Sequence, residues 1–340
     1  MCLSTILLSV KNLHVRFRTY AGVVHALRGV DFELSVGEII GIVGESGCGK
    51  SVTASAIMGI IPSPPGEVFA GQAWFEGRDL LKLSEAESRS LRGNALSMIF
   101  QDPMTSLNPV LTIGTQLTEP FTEHQSLSNT EARQRAAELL RLVGISDSET
   151  RLNQYPHQLS GGMRQRVMIA MSLACNPKLL FADEPTTALD VTVQAQILDL
   201  LKRLNLELNT AMVLITHDLG VVASICQRVL VMYAGQIVES APVQALFSEP
   251  RHPYSLGLLQ SVPNPDYKGK KLLAIEGHPP DLLLPPDGCA FLPRCRYSMQ
   301  ACLETPPMFS VSTGHKARCW LNHPDAPSAC HEVLKVAVAT

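Results

Sequence analysis

Gly44-Glu45-Ser46-Gly47-Cys48-Gly49-Lys50-Ser51 follows the run Glu38-Ile39-Ile40-Gly41-Ile42-Val43, and the two stretches together decide the fold. An uninterrupted apolar run ending in a glycine-rich turn reads as a buried strand feeding a phosphate loop. The eight residues fit the spacing G-x-x-x-x-G-K-[ST]. Glycines let successive backbone N–H groups turn inward on phosphate oxygens, and the helix that follows adds its positive end. Gly44, Ser46, Gly47 and Gly49 therefore form the cradle, Lys50 is placed to reach the β- and γ-phosphates of a nucleotide, and the Ser51 hydroxyl to ligate Mg²⁺. Cys48 sits at a permissive loop position near a helix N-terminus, which lowers a thiol pKa. Its alkylation is expected to block nucleotide binding, and bound nucleotide to protect it.

Outward from the loop, residues 6–18 and 26–34 alternate apolar and polar side chains like half-buried strands. From about 84 to 175 the pattern is helical, and 131–143 and 161–175 carry apolar positions at helical spacing. Strand signals return at 178–182, 211–215 and 228–233, with a helical stretch over 192–208. Strands alternating with helices imply an α/β fold with a parallel sheet. After Pro250 the composition shifts: 13 of the 23 prolines fall in the final 91 residues, so a boundary lies near 245–255. The expected organisation is a nucleotide-binding domain over 1–250 and an irregular extension over 251–340, with no internal repeat.

The balance of 28 Lys+Arg against 31 Asp+Glu gives a net charge of −3, which argues against a dedicated nucleic-acid binder. An apolar content of 46% excludes a disordered or fibrous chain. The opening MCLSTILLSV lacks a basic start and a cleavage site, and no later apolar run reaches the ~18 residues of a membrane helix. A soluble, cytosolic protein is expected.

About 130 residues beyond the loop, Leu179-Leu-Phe-Ala-Asp183-Glu184 puts two carboxylates at the end of an apolar strand. Asp183 suits a Mg²⁺ ligand, direct or through water. Glu184 suits a general base that polarises the attacking water.

Between these sites, Leu159-Ser160-Gly161-Gly162-Met163-Arg-Gln-Arg166 resembles the signature sequence of the ATP-binding cassette ATPases. Gln101 in Ile99-Phe-Gln-Asp-Pro resembles the Q-loop, Ala188-Leu-Asp190 the D-loop and His217 in Leu214-Ile-Thr-His-Asp the switch histidine. The resemblance runs from about residue 7 to 250. It implies a RecA-like parallel-sheet core with an antiparallel β subdomain and a helical subdomain over about 84–175. It also implies that Gln101 joins Ser51 and Asp183 at Mg²⁺, that His217 bonds the γ-phosphate or the attacking water and holds it in line with Glu184, and that Asp190 is among the nucleotide-binding residues. Ser160, Gly161 and Gly162 would cap the γ-phosphate bound to a second ATPase subunit, so closure sandwiches two ATP molecules and hydrolysis reopens the pair. Tyr20 is the best aromatic for stacking on adenine, with Phe17 in competition. Met163 stands where the commonest family pattern has Gln.

One cassette without a heptad run favours an importer subunit. Gln101-Asp-Pro-Met-Thr-Ser-Leu-Asn-Pro109, Tyr155-Pro-His-Gln-Leu-Ser160 and Arg251-His-Pro-Tyr254 resemble the peptide-importer branch. That resemblance implies a di- or oligopeptide importer with two membrane-spanning permease subunits, a second ATPase subunit that is more often distinct than identical, and an extracytoplasmic substrate-binding protein. The chain would then work at the cytoplasmic face of the membrane. Uptake of nickel, glutathione or an opine is the alternative within the family, and a soluble regulatory module the alternative outside it.

Of nine cysteines, Cys289, Cys295, Cys302, Cys319 and Cys330 fall in the last 52 residues. In a reduced compartment such crowding suggests a metal before disulfides. Four thiols in a Pro-rich segment suit structural zinc, an iron–sulfur cluster or free thiols. By resemblance to the cysteine segment of peptide-importer ATPases, Cys289, Cys295, Cys302 and Cys319 would bind a [4Fe–4S] cluster, with Cys330 spare.

Overall fold

The structure, a computed structural model, describes residues 5–187, 189–261 and 274–326. Ala188 of the D-loop stretch and Cys330 lie outside the described residues. Twelve strands occur among the described residues: Ile6–Thr19 (β1), Gly22–Ser35 (β2), Ile39–Val43 (β3), Gly66–Phe75 (β4), Arg78–Asp79 (β5), Leu96–Ile99 (β6), Leu179–Asp183 (β7), Ala211–Ile215 (β8), Arg228–Tyr233 (β9), Gln236–Pro242 (β10), Phe309–Ser312 (β11) and His315–Ala317 (β12). The chain divides into two compact units.

One unit comprises Met1–Leu7, Leu34–Ile39 and Lys82–Ile215. Its strands β8, β7 and β6 pair in parallel, with Leu179 opposite Ala211 and Leu96 opposite Leu179. Every residue of β7 and β8 is buried, as their continuous apolar sequence requires. The helical stretch is legible residue by residue. Asn129–Leu142 starts at Ser128, whose hydroxyl accepts from the Glu131 N–H while the Glu131 carboxylate accepts from the Ser128 N–H. This reciprocal box satisfies two orphan donors of the first turn. Its buried stripe, Ala132, Ala136, Ala137 and Leu140, repeats at helical spacing.

The other unit comprises Leu8–Glu33, Ile40–Leu81 and Thr216–Thr340. It holds an antiparallel subdomain in the order β2-β1-β4-β5 and, beside β3, the run β9-β10-β12-β11. Strand β3 pairs with β9 in parallel, from Ile40 opposite Arg228 to Val43 opposite Val231. The remaining pairs in this run are antiparallel, so parallel pairing in it ends at β9.

The extension is less irregular than its composition suggests. Strand β12 pairs with β10, Ala317 opposite Glu239. A helix covers Pro253–Gln260. Glu239 is fully buried and its carboxylate is satisfied from three sides: Oε1 accepts from the Arg251 N–H at 2.7 Å and bonds His315 Nε2 at 2.7 Å, and Oε2 accepts from the His252 N–H at 2.9 Å. A buried carboxylate persists only when its lone pairs are met in this way, and here they tie the extension to β10.

Candidate functional site

The phosphate loop joins β3 to the helix Lys50–Ile57. Lys50 is buried, and its Nζ donates to the Gly44 carbonyl at 2.9 Å and the Glu45 carbonyl at 3.0 Å. The loop's own carbonyls thus aim the ammonium group across its mouth. Gly49 has φ +108°, and a Cβ there would lie 2.9 Å from the Ala26 carbonyl oxygen; only glycine fits. At Gly47, φ is +78° and a Cβ would meet nothing within 4 Å, which leaves that side of the loop open to a ligand.

Cys48 does not behave as its position suggests. The side chain is buried, and burial pushes the thiol pKa up despite the neighbouring Lys50. Desolvation outweighs the helix terminus, so the expectation of an activated thiol is corrected.

Tyr20 lies fully exposed in the turn between β1 and β2. His217 is exposed just past the end of β8, followed by Asp218, whose carboxylate caps the helix Leu219–Ile225 through the Gly220 N–H at 2.7 Å. Both belong to the unit that carries the phosphate loop.

The other unit carries the carboxylates and the signature. Asp183 is buried at the end of β7. Glu184 follows with φ +46°, a left-handed conformation rare for a side-chain-bearing residue. Its N–H donates to the Ile215 carbonyl at 2.8 Å, so the strand-end main chain holds the strain, as at many reacting centres. The Gln101 side-chain amide donates to Glu184 Oε2 at 3.2 Å, and the Thr187 hydroxyl donates to the same oxygen at 2.8 Å. Two residues 83 apart in sequence, both singled out from their motifs, therefore meet. Thr187 is a contact the sequence reading missed, although it stands one turn beyond Glu184.

Ser160 is the N-cap of the helix Gly161–Leu173, its hydroxyl accepting from the Met163 N–H at 3.3 Å. A Cβ on Gly161 would meet nothing within 4 Å, whereas one on Gly162 would lie 2.9 Å from Val193 Cγ1. Gly162 is needed for packing within the chain, and Gly161 is not. Asp190 caps Val191–Leu208, with Oδ1 accepting from the Val193 N–H at 2.9 Å.

In the extension the four cysteines converge in part. Burial raises the thiol pKa of Cys289, of Cys295 (to about 11) and of Cys319, and neighbouring thiols push each of them further up. The Cys289 N–H donates to the Cys302 carbonyl at 2.9 Å. The donor set fits soft-metal chemistry in kind, yet among the described residues no three His, Cys, Asp or Glu side chains come together as a group that could hold a metal ion. The expected metal centre gains no support from this geometry.

Among the described residues no helix is long and apolar enough to cross a membrane.

This architecture and these motifs define an ATPase of the ATP-binding cassette class. The family profile described as ABC transporter matches residues 27–187, and that described as oligopeptide/dipeptide transporter, C-terminal region, matches 238–302. The chain is 57% identical over 325 residues to the oligopeptide transport ATP-binding protein OppD of Bacillus subtilis (strain 168), covering 95% of this chain and 91% of that one. It is 52% identical over 323 residues to the dipeptide transport ATP-binding protein DppD of the same organism, covering 95% and 96%. Among solved structures, the dimeric post-hydrolysis state of the ATP-binding cassette MJ0796 bound to ADP and Pi matches with TM-score 0.63 at 29% identity, covering 69% of this chain and 98% of that one. The chain belongs to the family of ATP-binding subunits of oligopeptide and dipeptide ABC transporters.

Proposed function

We propose that this ATPase powers import of di- or oligopeptides. The observation that carries the cargo is that likeness to peptide-transport subunits runs through the extension as well as the cassette. The Gly44–Ser51 loop holds the ATP phosphates, with Lys50 at the β- and γ-phosphates and Tyr20 stacking on adenine. Ser51, Gln101 and Asp183 would hold Mg²⁺, which would supply charge neutralisation to the transferring phosphoryl group. Glu184 accepts a proton from the attacking water, Gln101 and Thr187 hold its carboxylate in place, and His217 orients the water. Ser160, Gly161 and Gly162 cap the γ-phosphate on a second ATPase subunit, a distinct chain in this proposal, and Asp190 lies at that interface. Closure on ATP and reopening after hydrolysis move two permease subunits, which receive cargo from an extracytoplasmic binding protein.

The division into a cassette over 1–250 and an extension over 251–340 belongs to this reading, as does a location at the cytoplasmic face of the membrane through the permeases. So does a [4Fe–4S] cluster on Cys289, Cys295, Cys302 and Cys319, supported by four thiols that crowd one segment. Iron and sulfide content of the anaerobically purified chain, compared with Cys302→Ser, checks that last assignment.

The test of function is uptake of labelled dipeptides, oligopeptides and nickel by cells lacking the gene, complemented with wild type or Glu184→Gln. Loss of peptide uptake restored only by wild type is the expected result. Intact peptide uptake with lost nickel uptake would reassign the cargo, and no transport defect at all would remove the transport reading.

A further inference from the structure

Glu45 is an anion inside a loop built to hold a polyanion. Its own carbonyl accepts from Lys50 Nζ at 3.0 Å, so the residue lines the phosphate cradle. Left bare, its carboxylate would repel every phosphate that enters, because like charges a few ångströms apart interact strongly outside bulk water.

The extension meets this charge. Arg294 makes a two-pronged pair with Glu45, Nη1 to Oε2 at 2.7 Å and Nη2 to Oε1 at 2.9 Å. The Arg294 side chain is only 4% exposed and Glu45 28% exposed. The guanidinium is itself fixed: Nε donates to the Glu276 carbonyl at 2.9 Å, and its carbon sits 5.8 Å from the Tyr233 ring centroid. A bidentate fork held from its far side differs from a mobile surface ion pair. The Tyr254 hydroxyl adds a second hold, accepting from the Glu45 N–H at 2.8 Å. Tyr254 and Arg294 both lie in the segment matched by the oligopeptide/dipeptide C-terminal profile, and Arg294 stands between Cys289 and Cys295.

We propose that Arg294 is a positioning residue for ATP: it neutralises Glu45 and pins that carboxylate away from the phosphates, so that the extension sets the affinity of the loop for nucleotide polyphosphate. This rests on the assignment of the Gly44–Ser51 loop as the ATP phosphate site. A purely structural anchor would affect all nucleotides alike, whereas charge neutralisation acts in proportion to phosphate charge.

The experiment is calorimetric titration of the full-length chain with ATP, ADP and AMP. Arg294→Ala is expected to weaken ATP by about tenfold, ADP by less and AMP least, and Glu45→Gln added to it is expected to restore ATP affinity to within about twofold. Glu45→Gln alone is expected to tighten ATP binding, because the Arg294 charge beside the loop is then no longer neutralised. ATP affinity unchanged in Arg294→Ala, equal weakening of all three nucleotides, no restoration in the double variant, or unchanged or weaker ATP binding in Glu45→Gln alone would overturn the proposal. If Arg294→Ala does not fold, Glu45→Gln alone and Glu45→Gln with Arg294→Met decide it by the same criteria. A wild-type chain that binds neither ATP nor ADP would instead sink the phosphate-loop assignment on which the proposal stands.

Discussion

The Gln101 side-chain amide rests 3.2 Å from the Glu184 carboxylate, joining the loop just after β6 to the residue that follows β7. The amide and the Thr187 hydroxyl both hold the same oxygen of that carboxylate. Positioning of this kind is what a general base needs before its proton affinity matters. Glu184→Gln should lower ATP hydrolysis by about 10²–10⁴-fold while ATP affinity stays within about twofold. Thr187→Val should reduce turnover by less, without changing nucleotide affinity. Steady-state hydrolysis together with nucleotide titration separates these effects; equal losses of binding and turnover in Glu184→Gln would assign it to binding instead.

The two signature glycines should part company. Gly161→Ala meets nothing within 4 Å among the described residues and should leave thermal stability unchanged while abolishing ATP-driven pairing of subunits. Gly162→Ala must displace Val193 and should cost about 1–3 kcal/mol. Thermal melts read beside ATP-dependent dimerisation distinguish them, and a Gly161→Ala chain that pairs normally would contradict the cap assigned to that residue.

Asp190 has a local duty whatever its role at an interface. Because its carboxylate caps Val191–Leu208, Asp190→Ala should cost about 1 kcal/mol and Asp190→Ser much less. Chemical denaturation checks the difference.

His252 is wholly buried, and desolvation lowers its pKa to about 3. The unfolded chain binds a proton there below the ordinary pKa of 6.5, and the folded chain does not until about pH 3. The stabilisation is therefore complete above pH 6.5 and is lost as pH falls from there toward 3, at up to about 1.4 kcal/mol per pH unit. His252→Asn keeps an acceptor for the Tyr254 N–H that Nδ1 now bonds at 3.0 Å, and should flatten the acid limb. Denaturation curves between pH 4 and 8 measure the slope.

What could be read in advance was local or two-sided in its burial. Strands β3, β7 and β8 announce themselves because apolar residues on both faces leave no alternation to interpret. Ser128 and Glu131 mark a helix start within four letters. The strand β12 did not announce itself: three residues, His315-Lys316-Ala317, take their partner from Glu239 and Ser240, more than 70 residues away. The Cys48 thiol was misread because its burial arises from the folded chain around the loop, while the helix terminus is visible in sequence. The Arg294–Glu45 pair spans 249 positions and has no local pattern.

The central claim is that ATP hydrolysis at Glu184 drives peptide across a membrane. Its most direct test is peptide accumulation in vesicles reconstituted with this chain and the proposed permease, ATPase and binding-protein partners, with ATP on the side of the chain. The expected result is accumulation that requires hydrolysable ATP and disappears with Glu184→Gln. Accumulation that persists with Glu184→Gln, or hydrolysis that proceeds with no peptide movement in the complete complex, would contradict it.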